Sequence, residues 1–187
     1  MELPLFKELS QAYGFDDVAI VPGDVTINPE MVETTLQIGD HQFPTPIIAS
    51  AMDAVVSPSS AKLMHNIGGL GVLNLEGVYG RYKEPHGVLA EIAEAPLEKA
   101  TTILQKAYSQ PIKEDLIGRC IEEIKTSGAI CAVSVTPQNT KWLASVAVEA
   151  GADIVVVQST VTTARHISRS YKGLILSELC SQLKAPV

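Results

Sequence analysis

The stretch AICAVSVTPQNTKWLASVAVEAGADIVVVQ, residues 129–158, decides the fold. It contains two runs made mostly of Val, Ile and Ala, at 129–135 and 152–158, separated by a helical pattern that ends at Gly151. A strand with one face in water alternates apolar and polar residues, whereas a strand covered on both faces is apolar throughout. A buried strand, a helix and a second buried strand in succession predict a parallel α/β unit.

The same alternation of strands and helices runs from residue 45 to residue 187. Ser57 followed by Pro58 is typical of a helix start, and Gly128 is typical of a residue just after a helix end. The predicted strands span 45–50, 69–75, 129–135 and 152–158. The predicted helices span 58–66, 88–94, 97–107, 113–127, 136–150 and 174–183.

Two parallel architectures fit this order, the doubly wound open sheet and the (β/α)8 barrel. A dinucleotide-binding doubly wound fold places GxGxxG directly after its first strand, with an acidic residue about 20 positions later. The glycines of GGLGV, residues 68–72, instead precede or begin a strand, which weakens the doubly wound alternative. In both architectures ligands bind at the carboxyl ends of the strands. The polar residues predicted there are Ser50 to Asp53, Asn74, Ser134 to Thr136 and Gln158 to Thr160.

The end of the first of these strands, IIASAMDAV at 47–55, combines small, polar and soft apolar residues. Small residues allow a ligand to approach the backbone, Ser50 supplies a hydroxyl, and Met52 offers an adaptable apolar surface for a planar ring. The alternative is a tight turn from strand to helix, in which Met52 packs in the core and Asp53 bonds to nearby amides.

Composition excludes several classes of function. The net charge of -7 argues against a nucleic-acid surface, which needs clustered Lys and Arg. No apolar run approaches the roughly 20 residues that span a bilayer. The N-terminus, MELPLFKELS, lacks the pattern of a secretory signal, so we expect a cytoplasmic protein.

Three cysteines, Cys120, Cys131 and Cys180, lie far apart in the sequence. They have neither CxxC spacing nor histidines at metal-ligand spacing, so the sequence predicts no metal site and no disulfide framework. We expect reduced, buried thiols, because free cysteine is among the most buried residue types.

Three motifs in order resemble the amino-terminal half of the IMP dehydrogenase and GMP reductase family: YGFDDVAIVPG at 13–23, PIIASAMDAV at 46–55 and NIGGLGVLN at 66–74. Weaker similarity continues to KAPV at 184–187. The resemblance implies a (β/α)8 TIM barrel, of which this chain supplies about the first four β/α units. Residues 1–44 would be an N-terminal lead-in segment and residues 45–187 the half-barrel.

Members of this family transfer a hydride between a nicotinamide cofactor, NAD or NADP, and C2 of a purine nucleotide (IMP, XMP or GMP) through a covalent cysteine adduct. The resemblance implies that Ser50, Met52 and Asp53 bind the nucleotide, with Met52 under the base and Asp53 ordering the strand end or the site. It implies homo-oligomers, tetramers or octamers, of the full-length protein. The cofactor-binding residues are expected to be Asn74, Gln158, Ser159 and Thr160.

The chain departs from the family's pattern in ways that keep two reactions open. Gln158 stands where dehydrogenases of the family have a carboxylate, and an amide accepts the two ribose hydroxyl bonds less strongly. The connection after Asn74 is too short for the inserted pair of CBS modules. The chain therefore resembles a short, CBS-less branch, for which NAD-linked oxidation of IMP to XMP and NADPH-linked reduction of GMP to IMP are both candidates.

The family's catalytic Gly-Pro-Gly-Ser-x-Cys loop does not occur in residues 1–187. We therefore expect no catalytic residue in this segment and no activity of the segment alone. An open half-barrel would expose inner strand faces, and the residues expected on those faces are Ile47, Val72, Val133 and Val155. Two alternatives stay open, a catalytically silent member that binds nucleotide or assembles with a true dehydrogenase, and a barrel enzyme acting on another phosphorylated metabolite.

Overall fold

The computed structural model describes residues 10–160, 163–165 and 173–187, in two compact units, Met1–Glu33 and Thr34–Val187. The described part of the first unit contains two short 3₁₀ helices, Phe15–Asp17 and Pro29–Met31. The second unit contains the sheet, the α-helices and the candidate site.

The second unit opens with a β-hairpin that was not predicted from the sequence. Strands β1 (Leu36–Ile38) and β2 (His41–Phe43) pair antiparallel. Gly39 begins the two-residue connection with φ 58°, a left-handed conformation that glycine adopts without steric cost. Phe43 at the end of the hairpin is buried against one face of the main sheet.

The main sheet has four parallel strands in sequence order. They are β3 (Ile48–Ala49), β4 (Leu70–Asn74), β5 (Ala132–Val135) and β6 (Ile154–Val157), with every neighbouring pair parallel. Asn74 aligns with Ser134, and Ser134 aligns with Val156. The sheet therefore brings the ends of β4, β5 and β6 to one edge, as the sequence predicted.

Among the described residues, six helices alternate with these strands or follow them along the chain, and buried residues of α1, α4 and α5 pack against one face of the sheet. They are α1 (Pro58–Asn66), α2 (Pro85–Ala93), α3 (Leu97–Tyr108), α4 (Glu114–Lys125), α5 (Thr140–Glu149) and α6 (Leu176–Gln182). Helix α1 begins where the sequence predicted, because the Ser57 hydroxyl accepts the Ser60 amide at 3.0 Å and the Ser60 hydroxyl accepts the Ser57 amide at 2.8 Å. A Cβ at Gly71 of β4 would stand 2.9 Å from the Ala61 Cα, so this glycine allows α1 to lie directly on the strand.

The two faces of the sheet bury different residues. Leu73, Val133 and Val155 share one register row and pack with Ile121 and Leu143 beneath the helices. The opposite face carries Leu70, Val72, Ala132 and Ile154, packed with Phe43.

The expectation that Val133 and Val155 lie on the inner face with Val72 was therefore wrong. Side chains alternate between faces at every residue of a strand. Ala132 and Ile154 lie on the face with Val72, so the residues that follow them, Val133 and Val155, lie on the helix side. Ile47 precedes β3 and is 58% exposed.

Helix α5 begins at Thr140 and not at Thr136 as predicted. The Asn139 amide donates to the Thr136 carbonyl at 3.1 Å, and the Thr136 amide donates to the Glu76 carboxylate at 2.5 Å. These contacts hold residues 136–139 as a turn, and the helix starts only after it.

Residues near the C-terminal end of the given sequence form a backbone hydrogen bond with the free edge of β6. The Val155 amide donates to the Pro186 carbonyl at 2.9 Å. Pro186 also lies against the hairpin turn, since a Cβ at Gly39 would stand 2.5 Å from its Cγ. Across residues 10–160, 163–165 and 173–187, every helix falls short of the length and apolar character that a membrane-spanning helix needs.

The three thiols differ in burial, which corrects the expectation that all are buried. Cys131 is fully buried just before β5, Cys120 is half-buried on α4, and Cys180 is exposed on α6. Cys180 follows Leu179, the buried residue of α6, and one helical position turns it about 100° away from the core.

Thiol labelling of the native complete protein at pH 8 is expected to be fast at Cys180 and slow at Cys120 and Cys131. Desolvation by burial raises the pKa of Cys120 to about 11 and that of Cys131 to about 12, so almost no reactive thiolate forms. Because an unfolded thiol has a pKa of about 8.5, these two groups leave stability unchanged below that pH and lower it as pH rises further. Mass spectrometry after iodoacetamide treatment measures each site, and equal labelling of Cys131 and Cys180 would contradict the burial.

Candidate functional site

A cleft of about 520 Å³ lies at the carboxyl ends of the parallel strands. Its floor and one wall come from residues directly at or after the ends of β4, β5 and β6. Its other wall comes from the long connection between β4 and β5, which includes α2 and α3. The described residues that line it are Ala51, Asn74, Glu76, Arg81, Tyr108, Ser134, Val135, Thr136, Gln158, Ser159 and Thr160.

The Asp53 carboxylate links the end of β3 to this long connection. One oxygen, Oδ2, accepts the Val78 amide at 2.7 Å and the Tyr108 hydroxyl at 2.7 Å. The other, Oδ1, is buried, has no hydrogen-bond partner among the described residues and faces Gly77, where any Cβ would collide with it. Asp53 therefore fixes the chain at 77–78 and the end of α3 in place.

Tyr108 and Arg81 form the cleft wall that Asp53 supports. The Arg81 Nε donates to the Glu76 carbonyl at 2.9 Å, and its Nη1 donates to the Gln110 carbonyl. The guanidinium carbon lies 5.9 Å from the centre of the Tyr108 ring, within the range of a cation–π contact. Both ends of the connection are thus held by one side chain.

Glu76 ties the end of β4 to the turn after β5. One carboxylate oxygen accepts the Thr136 amide at 2.5 Å, and the other accepts the Asn139 side-chain amide at 2.6 Å. The Glu76 amide in turn donates to the Asn74 side-chain oxygen at 3.1 Å. Two short bonds to an ionised acceptor are strong for their type, so the floor of the cleft is rigid at this point.

Two charged side chains lie among the described residues that line the cleft. Among its described lining residues Arg81 is the cation and Glu76 the anion. Desolvation by burial, followed by the hydrogen bond to Asp53, raises the pKa of Tyr108 above its ordinary value, with Arg81 acting in the opposite direction. Tyr108 therefore stays a hydrogen-bond donor to Asp53 throughout the neutral range.

The structure places the residues predicted to bind cofactor together. Asn74, Gln158, Ser159 and Thr160 all line the cleft, as does Ser134. The backbone amide of Gln158 continues the sheet by donating to the Val135 carbonyl at 2.9 Å. This bond holds Gln158 at the end of β6. Cofactor binding by these residues stays a prediction.

The residues predicted to bind substrate are placed differently. Ala51 lines the cleft, whereas Ser50 is exposed outside its lining and Met52 is 50% exposed rather than packed in the core. Asp53 is occupied by the Val78 amide and Tyr108 hydroxyl, as in the alternative of a bonded turn. Contact of these three residues with a nucleotide stays a prediction.

Three of the lining residues were not identified as site residues from the sequence. Glu76 and Arg81 are not among the polar residues predicted at the strand ends, because both lie in the long connection after β4. Helix α2 begins at Pro85, and Arg81 turns into the cleft. Tyr108 carried no signal, because its position depends on how α3 packs.

The described residues offer no further reactive centre at the cleft. Cys120 lines a separate pocket of about 280 Å³ that includes the start of α1, and no cysteine lines the cleft itself in the described ranges. No group of three or more His, Cys, Asp or Glu side chains within those ranges is arranged to hold a metal ion.

Comparison with known proteins places the chain in a family. The family profile described as the IMP dehydrogenase / GMP reductase domain matches residues 12–174. An uncharacterised oxidoreductase of Mycobacterium tuberculosis is 34% identical over 192 residues, covering 100% of this chain and 51% of that protein. The inosine-5'-monophosphate dehydrogenase of Korarchaeum cryptofilum is 38% identical over 63 residues, covering 34% of this chain and 13% of that protein.

A solved structure gives the same assignment. The crystal structure of an IMP dehydrogenase/GMP reductase-like protein from Corynebacterium glutamicum matches with a TM-score of 0.87 and 32% identity. The match covers 100% of this chain and 50% of that one, so the chain spans about half the length of such relatives. The chain belongs to the IMP dehydrogenase/GMP reductase family of oxidoreductases, and its parallel strands and helices correspond to about the first four β/α units of a (β/α)8 barrel.

Proposed function

We propose that the complete protein oxidises IMP to XMP with NAD, a step of guanine nucleotide synthesis, and that this chain supplies part of the nucleotide and cofactor site. The observation that carries the proposal is the cleft at the strand ends, where Asn74 and residues 158–160 converge. Amides and hydroxyls in this arrangement suit the ribose and carboxamide groups of a nicotinamide cofactor.

The reacting cysteine of this proposal comes from the part of the family's barrel that this chain does not match. Burial raises the pKa of Cys120 and of Cys131, and neither lines the cleft, so neither is a candidate nucleophile. The role of the present chain is to position ligands. Ser50 and Met52, both exposed at the end of β3, are proposed to contact the purine nucleotide.

Reduction of GMP to IMP with NADPH is the second candidate, and Gln158 favours it. A neutral amide at the strand end accepts the ribose hydroxyl bonds less strongly than the carboxylate of the family's dehydrogenases, which weakens an interaction that NAD-linked oxidation of IMP would use. Homo-oligomerisation is proposed on the family resemblance alone, and a cytoplasmic location stays a proposal.

The two reactions are separated by incubating the complete natural protein with IMP and NAD, or with GMP and NADPH. Absorbance of the reduced nicotinamide at 340 nm should rise in the first mixture if the protein is a dehydrogenase and fall in the second if it is a reductase. Calorimetric titration with IMP, GMP and XMP tests nucleotide binding without turnover. Failure to bind any of the three would overturn both candidates.

A further inference from the structure

Arg81 is held rigidly at the wall of the cleft by groups that do not neutralise it. Its Nε and Nη1 donate to two backbone carbonyls, those of Glu76 and Gln110, which carry no net charge. The ring of Tyr108 lies beside the guanidinium, and Tyr108 is itself fixed by the Asp53 carboxylate. The orientation of the guanidinium is therefore set before any ligand arrives.

This anchoring leaves much of the guanidinium unused. A guanidinium has five N–H donors, and the two backbone carbonyls take one each. The remaining three have no acceptor among the described residues, although Arg81 is only half-exposed and lines the cleft. A planar group with free donors in a fixed orientation matches the oxygen geometry of phosphate.

The surroundings of Arg81 leave its charge available. The carboxylate of Glu76, the anion among the described lining residues, has both oxygens committed to the Thr136 amide and the Asn139 side chain. Gln158 across the cleft is neutral. The remaining lining residues carry only hydroxyls, amides or apolar groups, apart from Tyr108, whose hydroxyl is bound to Asp53.

From this geometry we propose that Arg81 is the anion-selecting residue of the cleft and binds a phosphoryl group of the nicotinamide dinucleotide. The inference rests on the proposed function for the identity of the ligand. Residues 158–160 share the cleft with Arg81, so a cofactor whose nicotinamide ribose lies against them has its phosphoryl groups within the same space. An anion site in a protein of net charge -7 would be local, created by one oriented side chain.

The test compares the complete wild-type protein with Arg81→Gln and Arg81→Lys. Fluorescence titration measures the dissociation constants of NADH, NADPH and reduced nicotinamide riboside, which lacks phosphate. Calorimetry measures those of IMP, GMP and inorganic pyrophosphate. Arg81→Gln should raise the dissociation constants of NADH, NADPH and pyrophosphate by about tenfold or more, because one charge-assisted hydrogen bond is lost.

Binding of reduced nicotinamide riboside, IMP and GMP should change less than about threefold in Arg81→Gln, since none of them uses the anion site. Arg81→Lys keeps the charge without the planar fork, so it should recover part of the pyrophosphate affinity and make that affinity more sensitive to salt. Equal loss of the riboside and the dinucleotide would assign Arg81 a purely structural role and overturn the inference. So would unchanged dinucleotide binding.

The same measurements separate this inference from the proposed function. The wild type could bind pyrophosphate through Arg81 but neither nicotinamide cofactor. That result would support the anion site and overturn both the proposed reaction and the assignment of a dinucleotide as its ligand. If Arg81→Gln bound nucleotide and cofactor with the same dissociation constants as the wild type, the proposed reaction would stand and the role of Arg81 would be overturned.

Discussion

Replacing Asp53 with alanine should lower the free energy of unfolding of the complete protein by about 3 kcal/mol. The carboxylate accepts both the Val78 amide and the Tyr108 hydroxyl, each at 2.7 Å, and hydrogen bonds to a charged acceptor are worth about 1.5–3 kcal/mol each. Val78 is 0% exposed, so its amide has no access to water once the acceptor is removed. The unpartnered second oxygen of Asp53 offsets part of the loss, because alanine removes a buried polar atom as well. Urea denaturation with a constant slope measures the difference.

Two further variants locate the effect of Asp53. Tyr108→Phe removes one of the two bonds and keeps the ring beside Arg81, so it should cost about 1.5 kcal/mol. The double variant should be less destabilised than the sum of the single ones by about 1 kcal/mol, since the two residues share one contact. Gly77→Ala should resemble Asp53→Ala, because the new Cβ displaces the same carboxylate. A loss below about 1 kcal/mol for Asp53→Ala would show that the carboxylate does not hold the connection.

The sheet could be predicted from the sequence because burial on both faces produces unbroken apolar runs. IVVV at Ile154–Val157 is such a run, AVSV at Ala132–Val135 is apolar except for Ser134, and the structure pairs the two in parallel. Which face each residue occupies could not be predicted in this way. IVVV has no polar residue to mark a face, and Ser134 of AVSV was interpreted only as a residue at a strand end, so Val133 and Val155 were assigned to the wrong side.

The hairpin was missed although the sequence contains a signal for it. Gly39 and Asp40 separate two short runs by two residues, which is a recognised hairpin spacing. Each strand is only three residues long and contains a single β-branched or phenyl side chain, Ile38 in β1 and Phe43 in β2, of the kind that favours strands. The hairpin forms because Phe43 buries its side chain against the main sheet, which is a tertiary contact.

In the candidate site too, some residues could be predicted from the order of elements and others depend on tertiary packing. Asn74 and residues 158–160 were predicted to lie together because parallel strands end at one edge, a rule that needs only the order of elements. Arg81 reaches the cleft from the turn at Val78–Gly80, held by the Glu76 and Gln110 carbonyls, and Tyr108 reaches it from the end of α3, and no local pattern specifies either position. Glu76 could have been singled out by its residue type, since an acidic side chain just after a buried strand needs donors, but the two donors lie 60 and 63 residues away.

Replacing Glu76 with alanine should cost about 3 kcal/mol of stability and reduce kcat/KM at least tenfold in whichever direction the protein is active. Thr136 and Asn139 would lose their shared acceptor, and the turn between β5 and α5 would no longer be fixed to the end of β4. Since Ser134, Thr136 and Gln158 line the same floor, we expect KM for the cofactor to rise more than KM for the nucleotide.

The controls for Glu76 distinguish the loss of charge from the loss of this particular contact. Glu91→Gln removes the same charge from an exposed position on α2 and should change stability by less than about 0.5 kcal/mol. Glu76→Gln keeps the size of the side chain but places an amide donor against the amide donor of Thr136 or Asn139, so it should restore at most half of the stability. Glu76→Asp is one methylene shorter and should retain only one of the two bonds. If Glu76→Gln matched the wild type in both stability and cofactor KM, the carboxylate would not be what joins the ends of β4 and β5.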